Sequence, residues 1–302
     1  MKDGSERPDW TLDHVPVAPF MRPRTASPPG IQPLDPAQWL FFSDDVEGQM
    51  ALRDRLIEGE DADLGPAWMV AGGEKAAEEL LDCVVDHLVS RGFGAVSSGK
   101  LRRKDDVSVD LSGPPMAVLG RLAPEDFLIM ERPEGAEEHV LTAGVLLFPA
   151  HWTLSEKIGR PLVRIHQPVP DYEGDLSRRV QRFFDGVQVG RPLWRANWHF
   201  AGTPQIVTPM REVDKVGLYL ERLPDERSVG WLRVERQTIL RLPRTGAVVF
   251  GVRTLMSDIG GLTSEQWRGL QAAFAAMSAE ERDGKATPDL LARIEAEVAA
   301  AA

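Results

Sequence analysis

Apolar residues recur at helical spacing in several parts of the chain. In the segment 74–90, the apolar positions 77, 80, 81, 84 and 88 fall on one face, and Gly92 follows as a stop signal. Similar patterns predict helices over 36–56 and over 176–187. We expect two more near the C-terminus: one starts after the capping-box pair Thr263 and Gln266, and the other starts at Pro288.

Runs of alternating or continuous apolar residues between these segments predict strands. The segment 94–140 indicates short strands, with a charged hairpin or loop at 100–106, and an apolar strand follows over 141–148. Two long strands, 231–242 and 247–255, are joined by a short turn. Strands in a run with helices grouped before and after predict an α+β fold with an antiparallel sheet.

Proline sets the N-terminal segment apart from the rest of the chain. Residues 1–36 contain eight of the 23 prolines and show neither a helical nor a strand period. This composition predicts an extended arm lying over a surface. We expect residues 37–302 to form a single domain with a helical C-terminal extension.

Charge and cysteine content narrow the class of protein. The 35 Lys and Arg against 46 Asp and Glu give a net charge of −11, which disfavours nucleic acid and anionic membrane partners. A single cysteine, Cys83, allows no internal disulfide and fits a reducing compartment. The N-terminus shows no signal-peptide pattern, and the longest apolar run, 140–150, is too short to span a bilayer. We therefore expect a cytoplasmic protein.

The two long strands carry arginines at unexpected positions. If Leu242 pairs with Ala247, the facing pairs are Leu240 with Val249, Thr238 with Gly251, and Arg236 with Arg253. Like charges that face each other on an apolar face are destabilising, so an anion between them would explain the pattern. The small residues Thr238 and Gly251 would leave room for a flat ligand with an anionic edge. Alternatively, the arginines pair with carboxylates such as Glu235 or Glu221, or a bulge turns one of them outward.

His166 is the best histidine for binding a metal-containing cofactor. It follows an apolar run and precedes Pro168 and Pro170, which would stiffen the segment, and neutral imidazole is a common ligand of haem iron. A core histidine bound to backbone is the alternative. His199 is the second candidate, and His151 is a further one. The sequence contains no Gly-rich phosphate loop, no haem-attaching Cys-x-x-Cys-His and no serine nucleophile elbow.

Five segments together resemble the haem-binding subunit of the haem-dependent oxidative N-demethylases. They are PLDPAQWL at 33–40, PEDFLIM at 124–130, FPAHWTLSEKIGRPLVRIHQPVP at 148–170, WRANW at 194–198 and LRVERQTILRLPRTGAVVFGVRT at 232–254. The resemblance implies a PAS-like domain that binds haem b. It also implies that a small secondary amine, such as dimethylamine, reacts with dioxygen and loses a methyl group as formaldehyde. Electrons would arrive from partner subunits that carry a flavin and an iron–sulfur centre.

The resemblance also suggests roles for individual residues. His166 would be the iron ligand, with His199 as the alternative, while Arg236, Arg253 and Arg244 would bind propionates or polarise bound oxygen. Glu235 would anchor an ammonium substrate by its charge. The remaining residues expected to contact the cofactor are Thr238, Gly251 and Trp198. A haem-based gas sensor without turnover is the alternative function, because PAS-like folds serve both uses.

Overall fold

The computed structural model describes residues 7–26, 29–59, 65–166, 175–215 and 230–301. Its strands are β1 Gln32–Pro33, β2 Ala67–Met69, β3 Gly94–Ser97, β4 Lys100–Arg103, β5 Ser108–Asp110, β6 Glu125–Glu131, β7 Val140–Val145, β8 Leu193–Ala201, β9 Trp231–Arg241 and β10 Val248–Asp258. Seven of them form an antiparallel sheet in the order β1-β8-β9-β10-β6-β7-β2, and β3-β4-β5 form a small second sheet. The fold is therefore α+β with an antiparallel sheet, as predicted.

Helices lie before, between and after the strands. They are α1 Pro23–Ala26, α2 Val46–Glu58, α3 Glu74–Ser90, α4 Pro115–Leu122, α5 Leu162–His166, α6 Asp175–Gly186, α7 Glu212–Lys215, α8 Ser264–Ala276, α9 Ala279–Lys285 and α10 Pro288–Ala300. The predicted capping box is present, since the Thr263 hydroxyl accepts from the Gln266 N–H and the Gln266 side chain accepts from the Thr263 N–H. None of the helices in the described ranges is long and apolar enough to cross a membrane.

The β9–β10 hairpin has the predicted register. Leu240 lies opposite Val249, Thr238 opposite Gly251, and Arg236 opposite Arg253. The hairpin closes through a hydrogen bond from the Leu242 N–H to the Ala247 carbonyl, 2.9 Å long. Because side chains alternate along a strand, this register puts both arginines on one face of the sheet.

Different elements cover the two faces of the large sheet. On one face, which we call the helical face, Phe127, Val249 and Leu240 belong to a core built with α2, α3 and α4. Farther along the same face, Val234, Leu255 and Trp198 pack with α8 and α10. The opposite face packs against α5, α6 and the loop before α5, in a cluster that contains Ile239, Phe250, Leu162 and Phe184.

Two elements differ from the sequence-based prediction. Helix α4 occupies part of the segment in which only short strands were expected, because its apolar side chains pack on α2 and α3. Strand β8 was not predicted, although residues 195–200 alternate between partly exposed and buried positions as a half-covered strand does. The charged segment at 100–106 is part of a hairpin formed by β4 and β5.

The described part of the N-terminal arm lies along the sheet. The Leu12 N–H donates to the Met256 carbonyl (2.8 Å), and the Asp258 N–H donates to the Leu12 carbonyl (2.9 Å), so the arm forms a parallel bridge beside the end of β10. Farther on, the Phe20 ring meets Trp198 edge-on, with 5.6 Å between the ring centroids. The division of the chain into an arm and one domain stays a prediction.

Candidate functional site

The sheet face opposite the helical face carries a concentration of polar side chains, and we call it the site face. In β8 and β9 the period of two places six of them side by side: Arg195, Asn197, His199, Arg233, Glu235 and Gln237. Their cross-strand pairs are Arg195 with Gln237, Asn197 with Glu235, and His199 with Arg233. Five of the six are partly exposed, whereas Ala196, Trp198 and Phe200 on the helical face of β8 are buried. Polar side chains that stay partly exposed within a sheet make this face a candidate for ligand binding.

An apolar row borders the polar positions on the same face. It crosses four strands through the register pairs Leu193 with Ile239, Ile239 with Phe250, and Phe250 with Leu128. Leu193, Phe250 and Leu128 are only partly buried, although the last two belong to central strands. The site face thus combines an apolar floor with a polar end, the usual composition of a small-molecule site.

Glu235 lies at the centre of the polar end. Its Oε1 accepts from Arg233 Nε at 3.3 Å, and its Oε2 accepts from Gln237 Nε2 at 3.3 Å. The side chain of Glu235 is 15% exposed, and that of Arg233 is 2% exposed. Arg233 is fixed in turn, because its Nη1 and Nη2 donate to the carbonyls of Ile206 and Phe148, each at 2.8 Å. The carboxylate is therefore oriented by its neighbours and retains lone pairs for a cationic ligand.

His199 is neutral at physiological pH. Burial lowers the pKa of His199 to about 4; Glu235 opposes the shift, while Arg233, His151 and Lys285 add to it. A neutral imidazole is the form that binds metals.

His151 has a φ of +59°, which is unusual outside glycine. Its backbone N–H donates to the Thr208 carbonyl at 2.8 Å. Backbone strain of this kind is concentrated at functional sites.

Arg195 carries a buried donor on the site face. No acceptor among the described residues forms a hydrogen bond with its Nε. Burial lowers the pKa of Arg195, and the Glu235 carboxylate opposes that shift. A buried N–H without a partner costs about 1–3 kcal/mol, so a ligand that accepts this hydrogen bond gains binding energy.

The side chain of Arg236 lies on the helical face. Its Nη1 donates to the Trp39 carbonyl (3.1 Å) and its Nη2 to the Gln38 carbonyl (2.5 Å). The guanidinium also lies over the rings of Phe41 and Trp194, at 5.4 and 5.9 Å from their centroids. Arg236 therefore fixes the segment that precedes α2.

Arg253 uses all five of its N–H groups inside the protein. Nε donates to the Phe41 carbonyl, Nη1 to Gln49 and the Thr254 carbonyl, and Nη2 to Ser43 and Asp45. Glu125 lies near both Arg253 and Arg236 and is fully buried. The anions beside the two arginines are thus Asp45 and Glu125 of the chain rather than Glu235. Glu221, the other carboxylate suggested by the sequence, lies outside the described residues. Whether the arginines also bind haem propionates stays a prediction.

The other residues predicted to contact the cofactor also lie away from the site face. Thr238 and Gly251 face each other on the helical side, where a Cβ on Gly251 would lie 2.6 Å from the Thr238 hydroxyl. Trp198 lies in the core with α8, and its Nε1 donates to the Ala26 carbonyl. Arg244, in the hairpin turn, donates from its N–H and Nη2 to Glu79 and Asp82 of α3. Their cofactor contacts stay predictions.

Glu235 and His199 are therefore the predicted residues that the structure brings together. His166 ends α5, a helix that packs through Leu162 in the cluster on the site face, but its side chain lies outside the described residues. Four of the six polar residues were not predicted from the sequence: Arg195, Asn197, Arg233 and Gln237. Their signal was the alternation of Arg195, Asn197 and His199 with Ala196, Trp198 and Phe200.

Comparison with known families adds to this geometry. A family model described as haem-dependent oxidative N-demethylase, alpha subunit-like, matches residues 30–286, and this range includes every strand of the site face. The resemblance noted from the sequence is confirmed. The chain belongs to the haem-dependent oxidative N-demethylase, alpha subunit-like family.

Proposed function

We propose that the chain binds haem b on the site face and acts as the monooxygenase subunit that demethylates a small secondary amine. The observation that carries this proposal is that an apolar floor meets Glu235, His199 and the Nε of Arg195, which has no acceptor among the described residues, on one face of the sheet. The family description gives the cofactor and the class of reaction.

The described residues fit haem in two respects. The row Leu193, Ile239, Phe250 and Leu128 is apolar, and three of its four members stay partly exposed beside the cluster formed with α5 and α6, so they offer apolar contacts to a flat macrocycle. The Nε–H of Arg195 has no acceptor among the described residues, and a propionate or an oxygen ligand would supply one. Among the histidines, His166 remains our proposal for the iron ligand, and His199 is the alternative because it is neutral and lies on the site face.

Bound haem would supply the oxygen chemistry, while the chain supplies an axial ligand, orientation and polar groups. Glu235 binds the substrate ammonium, because a carboxylate in a partly buried site attracts a cation more strongly than one in water. Arg233 and Gln237 hold that carboxylate in a fixed orientation. Arg195 donates from Nε to a haem propionate or to an oxygen ligand. The pairing of Glu235 with an ammonium group favours an amine substrate over a neutral one.

The test begins with expression of the chain together with a haem precursor. Absorption spectra are recorded for the oxidised, reduced and carbon monoxide-bound protein, followed by formaldehyde release from dimethylamine with a chemical reductant and oxygen. We expect about one haem per chain, a carbon monoxide shift and formaldehyde in step with amine consumption. A visible spectrum that stays flat after haem reconstitution would contradict the proposal. Gas binding without formaldehyde from any small methylamine would favour the sensor alternative.

A further inference from the structure

The outer edge of β8 brings two cationic side chains near each other. Strand β1 pairs with β8 only at Leu193 and Trp194, so among the described residues no strand covers this edge beyond that point. Lys285, the last residue of α9, reaches the edge and donates from Nζ to the Trp198 carbonyl at 2.7 Å. Arg195 lies three positions before Trp198, about 10 Å away along the strand. Positive charges from two separate elements therefore meet at one edge of the sheet.

The position of Lys285 is fixed by the fold. Helix α9 begins with a capping box formed by Ser278 and Glu281, and it ends at Lys285. The ammonium lies over the Trp198 ring, 4.6 Å from the ring centroid, in addition to its hydrogen bond to the Trp198 carbonyl. Glu281 accepts hydrogen bonds from Ser278 within the capping box. An ammonium has three N–H donors, so Lys285 retains donors for a further acceptor.

The charges of Lys285 and Arg195 oppose each other. Burial lowers the pKa of Lys285, and the charge of Arg195 lowers it further. Burial also lowers the pKa of Arg195, and Glu235 is the carboxylate that opposes that shift. Both oxygens of Glu235 already accept hydrogen bonds, from Arg233 and Gln237. Two partly buried cations that repel each other are destabilising, and an anion bound to both would remove this cost.

We propose that Arg195 and Lys285 together bind a carboxylate at the outer edge of β8, and that haem carries this carboxylate as a propionate. The identity of the carrier rests on the proposed function. A carboxylate has two oxygens, which can accept from the planar guanidinium and from the ammonium at the same time. The Nε–H of Arg195, which has no acceptor among the described residues, gains one in this way.

The surroundings of the pair favour a carboxylate on an apolar body. Leu193, at the β8 end of the apolar floor, lies two positions before Arg195 on the same face of the sheet. A ligand with an apolar part and one carboxylate can therefore contact both. A polyphosphate or a nucleic acid would bring more negative charge than two cations balance, and the net charge of −11 would repel it.

The first test compares haem with haem dimethyl ester, in which both propionates are esterified and uncharged. Lys285→Met removes the ammonium and keeps an apolar stem, while Lys285→Arg retains the charge. We expect Lys285→Met and Arg195→Met each to weaken haem binding about 5–30-fold, as for loss of a hydrogen bond to a charged group. The affinity for the diester should change less than about threefold, and Lys285→Arg should recover most of the haem affinity. Lys75→Met, at an exposed position of α3, is the control and should leave both affinities unchanged.

Structural damage is distinguished from loss of the carboxylate site by the same measurements. Lys285→Met also removes the hydrogen bond to the Trp198 carbonyl, so urea midpoints are recorded for every variant. A loss of affinity for haem alone, at any midpoint, supports the site. Equal losses for haem and for the diester would assign Lys285 a purely structural role and overturn the proposal. Unchanged haem affinity in both Met variants would overturn it as well.

A second measurement needs no haem and separates this proposal from the proposed function. The buried Nε–H of Arg195 gives a side-chain NMR signal, which is identified by its loss in Arg195→Met. Sodium propionate is titrated into the haem-free protein. We expect this signal to shift in the wild type and to stay in place in Lys285→Met. A shift in a protein that fails to bind haem would defeat the proposed function and identify a free carboxylate as the ligand. No shift and no haem binding would overturn both.

Discussion

Arg253 and Asp45 form an ion pair that is completely buried, with Arg253 Nη2 2.6 Å from Asp45 Oδ1 and both side chains excluded from solvent. The pair joins the centre of the sheet to the start of α2, across 208 positions of sequence. It also explains how the hairpin holds two facing arginines. The charge of Arg253 is balanced by Asp45, and Glu125 lies close to both Arg253 and Arg236.

Removing the negative charge of this pair should destabilise the fold strongly. We expect Asp45→Asn to lower the free energy of unfolding by about 3–5 kcal/mol, because it leaves the Arg253 charge buried without its counterion. Urea unfolding measures the change. The control is Asp44→Asn at the exposed neighbouring position, which should change stability by less than about 0.5 kcal/mol. Equal midpoints for the two variants would show that the buried pair contributes no net stability.

Glu79 should make stability depend on pH in the acidic range. Burial opposes the ionisation of Glu79, but hydrogen bonds from Thr245 and Arg244 outweigh it and hold the pKa below its usual 4.5. Between that folded pKa and 4.5 the unfolded chain binds more protons, so this stabilisation is complete above about 4.5 and is lost as pH falls through the folded pKa. Glu79→Gln should therefore lose less stability than wild type on acidification. Urea midpoints at several pH values test this, and the exposed Glu78→Gln should follow wild type.

Glu235 and Arg236 are adjacent in β9 and point to opposite faces of the sheet. We therefore expect substitution of Glu235 to affect amine binding and substitution of Arg236 to affect stability. We expect Glu235→Gln to raise KM for the amine roughly 10–100-fold, as expected for loss of a charged hydrogen bond, with the haem spectrum retained. The measurement is formaldehyde release against amine concentration. Glu265→Gln on α8 is an exposed control that should leave KM unchanged. An unaltered KM in Glu235→Gln would remove Glu235 from substrate binding.

Arg236→Leu should act on the fold. It deprives the Gln38 and Trp39 carbonyls of their donors and takes a positive charge away from Glu125, so we expect a loss of about 2–4 kcal/mol in urea unfolding. The matched change Arg102→Leu removes an ion pair with Asp106 in which the side chains are 64% and 79% exposed, and should cost under about 1 kcal/mol. Haem affinity is measured in parallel. Weaker haem binding at unchanged stability would instead support the propionate role of Arg236.

The local sequence pattern was enough to predict the hairpin but not the sheet face that carries the candidate site. The turn between Leu242 and Ala247, together with the period of two, determines which residues face each other. Arginines within an apolar row suggested an outside anion, because Asp45 lies too far away in sequence for any spacing to reveal it. The site face became recognisable only with β8, whose polar positions 195, 197 and 199 complete the polar end. Which sheet face carries the polar end therefore depends on the pairing of β8 with β9, which are distant in sequence.

His166, at the end of α5 and shortly before Pro168 and Pro170 in the sequence, is the predicted iron ligand. We expect His166→Ala to retain less haem than wild type and to shift the Soret band, because an axial ligand is lost. His199→Ala and His151→Ala are the comparisons, since the charge of His151 acts on His199 at the polar end of the site face. Absorption spectra at matched haem concentration, with gel filtration to measure retained haem, distinguish the three. Unchanged spectra in His166→Ala, with a loss in one of the others, would transfer the ligand to that histidine.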